Sequence, residues 1–337
     1  MDFTASKRSS HMLALATAAV AATTSPLDIS TAIDGWFSTL VPHAHNWTRG
    51  TPLANKNGGL GLSAVGNGTK LYGVGGYDGS LYLSSVVVLD SAMGKWVAGP
   101  SMTAARDGFG LATLHGKLFA VGGLGAGSRV MSSVEVLDPA AGTWAAGPSL
   151  ADARFAFGLA ALDGKLYAVG GTGGGGNRAM SSVEVLDPSA GKWVGGPSMT
   201  TGRTYFGLAA LGTKLYAVGG FASGQFLSSV EVFDAAAGEW VPGPPLAAAR
   251  FGLGLASLDG KLYAVGGFNG NHSVSSVEVL DPAAGKWVAG PSLADARYAF
   301  GLAALGTKQL YAVGGQDGLP QRGQYLSSVE VLNVGLA

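Results

Sequence analysis

The heptapeptide KLYAVGG occurs three times, at residues 165–171, 214–220 and 261–267. Three near copies, KLYGVGG, KLFAVGG and QLYAVGG, begin at Lys70, Lys117 and Gln309. Each copy is an apolar, aromatic run that ends in two glycines, and a strand glycine costs about 0.5–1 kcal/mol relative to alanine. Six glycine pairs would cost on the order of 6–12 kcal/mol, so the fold must require them. We expect backbone dihedrals or a close approach that no side chain permits, beside a bulky neighbour such as a tryptophan.

The glycine pairs and a tryptophan recur with one period. Successive second glycines are 47 to 49 residues apart, and so are successive tryptophans. The glycines are Gly76, Gly123, Gly171, Gly220, Gly267 and Gly315. The tryptophans are Trp47, Trp96, Trp144, Trp193, Trp240 and Trp287. The chain therefore contains six copies of one structural unit.

One unit, residues 158–197, predicts four strands. GLAAL is short and apolar, the turn LDG follows, and KLYAVGG is the second strand. After a glycine-rich loop, SSVEVLD alternates with period two, and the turn DPSAG leads into an outer strand that carries the tryptophan. Such an antiparallel sheet leaves two apolar faces, so the units must pack on one another, and radial stacking closes the array. We predict an all-β fold, a six-bladed β-propeller.

The two ends of the repeat array complement each other. The sixth unit ends after SSVEVLN, without a tryptophan strand, whereas NWTRGTPLA at residues 46–54 precedes the first inner strand. We predict that this N-terminal segment pairs with residues 327–332 and completes the last blade, so that no blade edge stays unpaired. The predicted domain organisation is a leader over residues 1–45 and a propeller over residues 46–337.

The leader has features of a targeting segment. Basic residues precede the alanine-rich residues 12–22, which loosely match a secretory signal, and acidic residues are scarce before Asp28, as in an organelle transit peptide. The alternative is a disordered leader. We expect a cytoplasmic protein; cleavage of the leader would instead indicate a secreted or organellar one.

The composition excludes several function classes. Charged residues make up 12% of the chain and cancel to a formal net charge of zero, so nucleic acid is not an expected partner. The chain contains no run of 18 apolar residues, so a membrane-spanning helix is not expected. Without cysteine, thiolate metal sites and cysteine nucleophiles are excluded.

Two short motifs do not predict a metal or cofactor site. His43 and His45 form a pair without a recognisable third metal ligand. Gly171, Gly173 and Gly176 spell G-x-G-x-x-G, but a strand follows where a dinucleotide site requires a helix. We therefore expect no metal and no cofactor.

The repeated unit resembles the kelch repeat. The glycine pair after aromatic-x-Val, the period of roughly 48 residues and the Trp after Asp-x-x-x-Gly occur across about residues 46–334. The resemblance implies a six-bladed propeller that commonly binds proteins, often as the substrate-recognition part of cullin-RING ubiquitin ligase adaptors. Those adaptors carry a BTB domain, for which the roughly 45 residues before the propeller are too few, and these residues do not spell an F-box.

On one face of the predicted propeller, the loops differ from blade to blade. The loops between second and third strands differ in all six units, whereas the other turns within units are nearly uniform. An arginine, ten residues past a tryptophan, precedes five of the inner strands and would lie on the same face. These residues are Arg106, Arg154, Arg203, Arg250 and Arg297, with Asn57 at the equivalent place in the first unit.

Two interpretations of the arginines are open. The first is that the guanidiniums face the channel mouth among aromatic side chains and bind an acidic or C-terminal peptide. The second is that each arginine ties blades together by pairing with backbone carbonyls or with Glu135, Glu184, Glu231, Glu278 and Glu330. The aromatic candidates for ligand binding are Tyr77, Phe109, Phe155, Tyr205, Phe221, Phe251, Phe268 and Tyr298.

The sequence favours a non-catalytic interaction module with a protein or peptide partner. Within the family that it resembles, copper oxidases of the galactose oxidase type need a cysteine, which this chain lacks. Sialate epimerases are six-bladed and exported, and an arginine-rich channel would suit a carboxylated sugar, so such an enzyme is the alternative. Catalysis needs a positioned acid or base, and we find none that breaks the repeat pattern; His272 and Asp317 are the remaining candidates.

Overall fold

The computed structural model describes residues 46–66, 68–90, 93–175, 178–319 and 323–335. The predicted leader, with His43 and His45, lies outside the described residues, as does Gly176. The described chain forms six four-stranded antiparallel sheets, which we number as blades 1 to 6 in the order of their innermost strands. None of its helices is long and apolar enough to cross a membrane.

Each blade runs from an inner to an outer strand. The innermost strands are Gly61–Val65, Gly110–Leu114, Gly158–Leu162, Gly207–Leu211, Gly254–Leu258 and Gly301–Leu305. The second strands are Lys70–Val74, Lys117–Val121, Lys165–Val169, Lys214–Val218, Lys261–Val265 and Gln309–Val313. The third strands are Val86–Asp90, Val134–Asp138, Val183–Asp187, Val230–Asp234, Val277–Asp281 and Val329–Asn333. The outer strands are Lys95–Ala98, Thr143–Gly147, Lys192–Gly196, Glu239–Gly243, Lys286–Gly290 and, in blade 6, Trp47–Arg49.

Short elements occupy some of the loops on one face. Blade 2 has a two-residue hairpin with a 3-10 turn, Ala126–Ser128, between its arms Leu124–Gly125 and Arg129–Val130. The other small pairs are Arg154–Phe155 with Thr172–Gly173, Phe221–Ala222 with Gln225–Phe226, and Gln316–Asp317 with Gln324–Tyr325.

The ring is closed, as the repeat count predicts. Each innermost strand contacts the innermost strands of its two neighbours, and the strand of blade 1 contacts that of blade 6. The hydrophobic core lies between the blades, in six clusters that each draw residues from two neighbouring blades. Stacking the blades therefore covers the apolar faces that a single sheet leaves open.

The N-terminal strand completes the last blade, which confirms the predicted closure. Trp47 pairs with Leu332, and Arg49 pairs with Glu330. The indole N–H of Trp47 donates to the carbonyl of Pro291 in the preceding blade at 2.9 Å. The other five repeat tryptophans likewise donate to a carbonyl of the preceding outer segment, those of Thr51, Pro100, Pro148, Pro197 and Pro244.

The glycine pairs are required by their backbone and by a close approach. The first glycine of each pair has φ between 60° and 65°, and the second has φ between 92° and 106°, values that favour glycine. A Cβ on Gly171 would lie 2.5 Å from Phe157 Cβ and 2.7 Å from Phe155 O. The predicted requirement is therefore confirmed, but the bulky neighbour is a phenylalanine and a carbonyl of the same blade and not a tryptophan.

Candidate functional site

The five repeated arginines are buried inside the blades. Arg154 has no exposed surface. Its Nη1 donates to the carbonyls of Gly170 at 3.0 Å and Ser182 at 3.2 Å, and its Nη2 donates to Glu184 Oε1 at 2.8 Å. Arg106, Arg203, Arg250 and Arg297 repeat this arrangement with Glu135, Glu231, Glu278 and Glu330.

The paired glutamates also hold the loops that enter each blade. Glu135 accepts hydrogen bonds from the backbone N–H groups of Thr103 and Ala104. Burial alone would raise the pKa of Glu135, but the Arg106 guanidinium and these two N–H donors hold that pKa below its usual range. Burial lowers the pKa of Arg203, Arg250 and Arg297, against the opposing effect of the glutamates.

The arginine ring at the channel mouth, the first of the two interpretations, is therefore wrong. The position before the inner strand directs the side chain into the blade, where carbonyls and a glutamate accept its hydrogen bonds. The pairing with backbone carbonyls and glutamates in the second interpretation is what the structure shows, but it joins parts of one blade and does not tie two blades together. Asn57 takes the place of arginine in blade 1, where its Nδ2 donates to the carbonyl of Gly75 at 2.8 Å.

Blade 1 lacks the glutamate as well as the arginine. Val87 stands on its third strand where the other blades have glutamate. A cavity of about 350 Å³ lies at this place, lined by Asn57, Ser85 and Val87 among others. The Oδ1 of Asn57 is buried there and has no hydrogen-bond partner among the described residues.

Two residues follow the arginine position in each blade. The first of them are Gly58, Asp107, Phe155, Thr204, Phe251 and Tyr298, of which Gly58, Asp107, Phe251 and Tyr298 line a cavity at the channel. The next residues all have positive φ, between 50° and 63°, and are Gly59, Gly108, Ala156, Tyr205, Gly252 and Ala299. This repeated left-handed turn brings the backbone of all six blades towards the channel axis.

Backbone hydrogen bonds link these turns around the channel. The N–H of Ala156 donates to Gly108 O at 2.7 Å, and four equivalent bonds continue from blade to blade until Gly59 N–H donates to Ala299 O. The junction between Gly59 and Gly108 is different, because no equivalent backbone bond joins them among the described residues; the N–H of Gly108 instead lies beside the Asp107 carboxyl, whose pKa it lowers. Asp107 thus stands at the one interruption of this backbone ring within the described residues.

A cavity of about 380 Å³ lies over the backbone ring. Its wall includes Tyr77, Asp107, Tyr205, Phe251, Tyr298 and Tyr325. Among the described residues that line it, Asp107 is the only one that carries a formal charge. Burial raises the pKa of Asp107 to about 6, against the effect of the Gly108 N–H.

The predicted aromatic residues converge around this cavity. The ring of Tyr205 lies 6.3 Å from that of Phe155 and 5.5 Å from that of Phe251, both edge-on. Phe268 and Tyr298 continue the cluster from Phe251. Further contacts join Phe221 to Phe226, Phe226 to Phe251, and Tyr77 to Tyr82 and Tyr325. Phe109 lies deeper, three residues past Arg106, and packs in the core between blades 1 and 2.

Asp107, Phe226 and Tyr325 were not among the candidates from the sequence. Alignment of the repeats would have identified Asp107, because it is an acidic residue at the position where other units have Phe155, Phe251 and Tyr298. The statement that no acid breaks the repeat pattern is therefore wrong. His272 and Asp317 do not line the cavity; His272 lies near Asn269, and Asp317 accepts a hydrogen bond from Ser273 at 2.7 Å.

Comparison with known proteins agrees with the repeat and the closed ring. The model of the Kelch motif matches residues 59–103, 105–151, 153–200, 202–247, 249–294 and 296–335. The chain belongs to the kelch family. Membership supports a protein-interaction module in general. No curated protein sequence matches the chain.

The kelch propeller is also similar to a solved structure described as "Structure of YjhT". The TM-score is 0.74 at 16% sequence identity, and the alignment covers 85% of this chain and 97% of that one. At this identity the likeness shows the fold alone.

Proposed function

We propose that this kelch propeller is a non-catalytic module that binds a segment of a partner protein on its loop face. The loop face comprises the loops between second and third strands and those between blades. The cluster of aromatic side chains around the channel cavity is the observation that supports this proposal. Aromatic rings supply large contact areas with few rotatable bonds. Leu81 and Leu319 add exposed apolar surface to this face, at 66% and 47% of their full exposure.

The main argument for an acidic partner, the ring of arginines, no longer holds. The guanidiniums that would have paired with its carboxylates are buried and satisfied by glutamates. The cavity wall carries Asp107 instead, which repels an anionic group. Substrate recognition for a ubiquitin ligase and a cytoplasmic location stay predictions from the sequence.

A sugar-acid enzyme is not favoured by the same chemistry. A carboxylated sugar needs a cationic or strongly hydrogen-bonding subsite, and the described residues that line the channel cavity include no lysine, arginine or histidine. We therefore retain the binding module as the function that the geometry supports best.

Selection of displayed random peptides on the whole protein tests this proposal. We expect Tyr205→Ala to weaken the selected peptides about ten-fold or more, because central aromatic anchors dominate binding, and Leu81→Ser to weaken them by a smaller factor. Alanine already stands at the place of Tyr205 in two other blades, as Ala156 and Ala299, so the substitution suits the backbone.

Met93→Ser is the matched control. Met93 is 58% exposed and lies in a turn between third and outer strands, on the opposite face. We expect this variant to bind the selected peptides as the wild type does. Equal loss of binding in all three variants, or unchanged binding in all three, would show that the loop face is not the binding surface.

A further inference from the structure

We infer that the channel mouth takes an organic cation, the alkylammonium or guanidinium group of a bound segment, between Asp107 and the surrounding tyrosine and phenylalanine rings. The inference rests on the proposed function and specifies the chemistry of the partner. It reverses the charge that the sequence suggested for that partner.

Asp107 is built into the mouth. A Cβ on Gly59 would lie 1.8 Å from Asp107 Oδ1, so the carboxylate occupies space that only glycine leaves free. The neighbouring Gly108 also has positive φ, and its N–H lowers the pKa of the same carboxyl. Two glycines and an interrupted backbone ring therefore hold this acid in the wall.

The charge of Asp107 is not compensated within the described protein. The other cavity-lining residues are apolar or neutral, and the Gly108 N–H is the one hydrogen bond that lowers its pKa. Asp107 is half-buried; a partly desolvated carboxylate without a cation is unfavourable, and an opposite charge placed beside it relieves that penalty. A cationic ligand would supply the positive charge that the described cavity wall lacks.

The aromatic side chains supply the rest of a cation site. Tyr205 has φ of 52°, where the equivalent residues are glycine or alanine, and a bulky residue in this conformation is strained. The strained turn presents its ring beside Phe251, with 38% of Tyr205 accessible. Faces of such rings attract cations at distances up to about 6 Å.

Tyr298 provides a second, independent indication of a ligand. Its side chain lines the cavity and is 3% exposed, yet its hydroxyl has no hydrogen-bond partner among the described residues. Buried hydroxyls normally have partners, and a hydroxyl oxygen can accept from an ammonium or guanidinium N–H.

An organic cation fits the wall better than a metal ion does. Calcium takes about six to eight oxygen ligands, and magnesium takes six in octahedral geometry. Asp107 is the one carboxylate on the described wall, and no group of three metal-ligating side chains occurs in the described parts of the chain. The volume of about 380 Å³ lies within the range of small-molecule sites.

Titration with n-butylammonium chloride, followed by NMR of the full chain, tests the inference. We expect saturable binding that Asp107→Asn weakens at least ten-fold. The matched control is Asp152→Asn, which removes an exposed carboxylate from another loop between blades and should leave the affinity unchanged. Neutral n-butanol should not bind saturably. Absence of saturable butylammonium binding, or equal binding by the Asp107→Asn protein, would overturn the inference.

The pH dependence provides a second readout. The titratable side chains that face Asp107 in the cavity are tyrosines, Tyr77, Tyr205, Tyr298 and Tyr325. Partial desolvation by the cavity wall, with the Asp107 charge as a smaller cause, raises the pKa of Tyr205 above its ordinary value, so it stays neutral near pH 6. Because the ionised acid binds the cation, we expect affinity to fall about ten-fold from pH 7 to pH 5. Affinity that stays constant over this range would contradict the role of Asp107.

The Asp107→Asn protein should remain folded. Burial raises the pKa of Asp107 above its unfolded value, so its carboxyl favours the folded state at low pH and loses that contribution as pH rises through about 6. Asparagine keeps an acceptor for Gly108 without the charge. We therefore expect this variant to melt no lower than the wild type at neutral pH.

The peptide selection separates this inference from the proposed function. If butylammonium binds through Asp107 while no displayed peptide binds the loop face, the cation site stands and the proposed function fails. If selected peptides bind the loop face without a basic residue, and Asp107→Asn does not weaken them, the inference is wrong and the proposed function stands.

Discussion

A single arginine side chain joins three parts of its blade. The Arg154 guanidinium donates to the glycine pair, to the third strand and to Glu184, which in turn accepts from the N–H groups of Ala151 and Asp152. Burying two charges is unfavourable, so the net value of such a pair is modest, but removing one partner leaves the other charge buried and unpaired.

We predict that Arg154→Ala lowers the free energy of unfolding by about 3–5 kcal/mol, measured by urea denaturation. Arg178→Ala is the matched control, because Arg178 is exposed in the adjoining loop, and its effect should stay within about 0.5 kcal/mol. Nearly unchanged stability of the Arg154→Ala protein, together with lost peptide binding, would support a ligand-binding arginine instead.

The sequence located this residue correctly but could not determine the direction of its side chain. In a loop, a shift of one residue changes which side chain enters the blade and which faces the channel. Arg106 is fully buried, whereas its neighbour Asp107 lines the cavity. Periodicity identifies equivalent positions, and only the repeated left-handed turn at Gly108 and its equivalents determines which of them point to the axis.

At the scale of the element, blade 1 is the exception among six similar sheets. Asn57 and Val87 replace arginine and glutamate together, and the cavity of about 350 Å³ lies where the pair would be. Ala54 and Asn55 occupy the positions equivalent to Thr103 and Ala104, whose N–H groups donate to Glu135. The backbone of blade 1 is therefore arranged for an ion pair that the sequence does not supply.

We predict that Asn57→Arg and Val87→Glu together restore the missing pair. Val87→Glu alone should destabilise the protein, because it adds a half-buried carboxylate without a partner. The double variant should recover at least the wild-type free energy of unfolding. A double-mutant cycle measures the coupling, which we expect at about 1–3 kcal/mol. Additive effects of the two substitutions would contradict the prediction.

The four strands of each blade were predictable because their pattern repeats six times, with turns and glycine pairs at fixed places. The hairpins Phe221–Ala222 with Gln225–Phe226 and Gln316–Asp317 with Gln324–Tyr325 were not predicted. They lie in loops that share no pattern among the blades, so no repetition supports a local assignment, and two-residue arms carry too few side chains for a strand signal.

At the scale of the whole molecule, one strand from the start of the propeller closes the ring. Trp47 is 8% exposed and belongs to the core cluster between blades 5 and 6. Arg49, on the same strand, forms an ion pair with Asp295 in the loop that enters blade 6. Closure thus combines backbone pairing, core packing and a surface charge pair.

We predict that deleting residues through Ala54 destabilises the protein, whereas deleting residues only through Pro42 does not. The longer deletion removes the outer strand of blade 6 and exposes the edge of Val329–Asn333. Loss of Trp47 alone should contribute about 3–5 kcal/mol, and thermal melting of both truncations measures the difference. Equal melting temperatures would show that this strand does not stabilise the ring.

The closing strand also has a consequence during synthesis. Thr48 and its partner Val331 are separated by 283 positions, so at about 5–20 residues per second a ribosome takes roughly 15–55 s to translate that interval. Until then one side of blade 1 has no neighbour, and the nascent chain keeps an apolar surface open to chaperones. The speed of elongation, more than the strength of any finished contact, sets how long that exposure lasts.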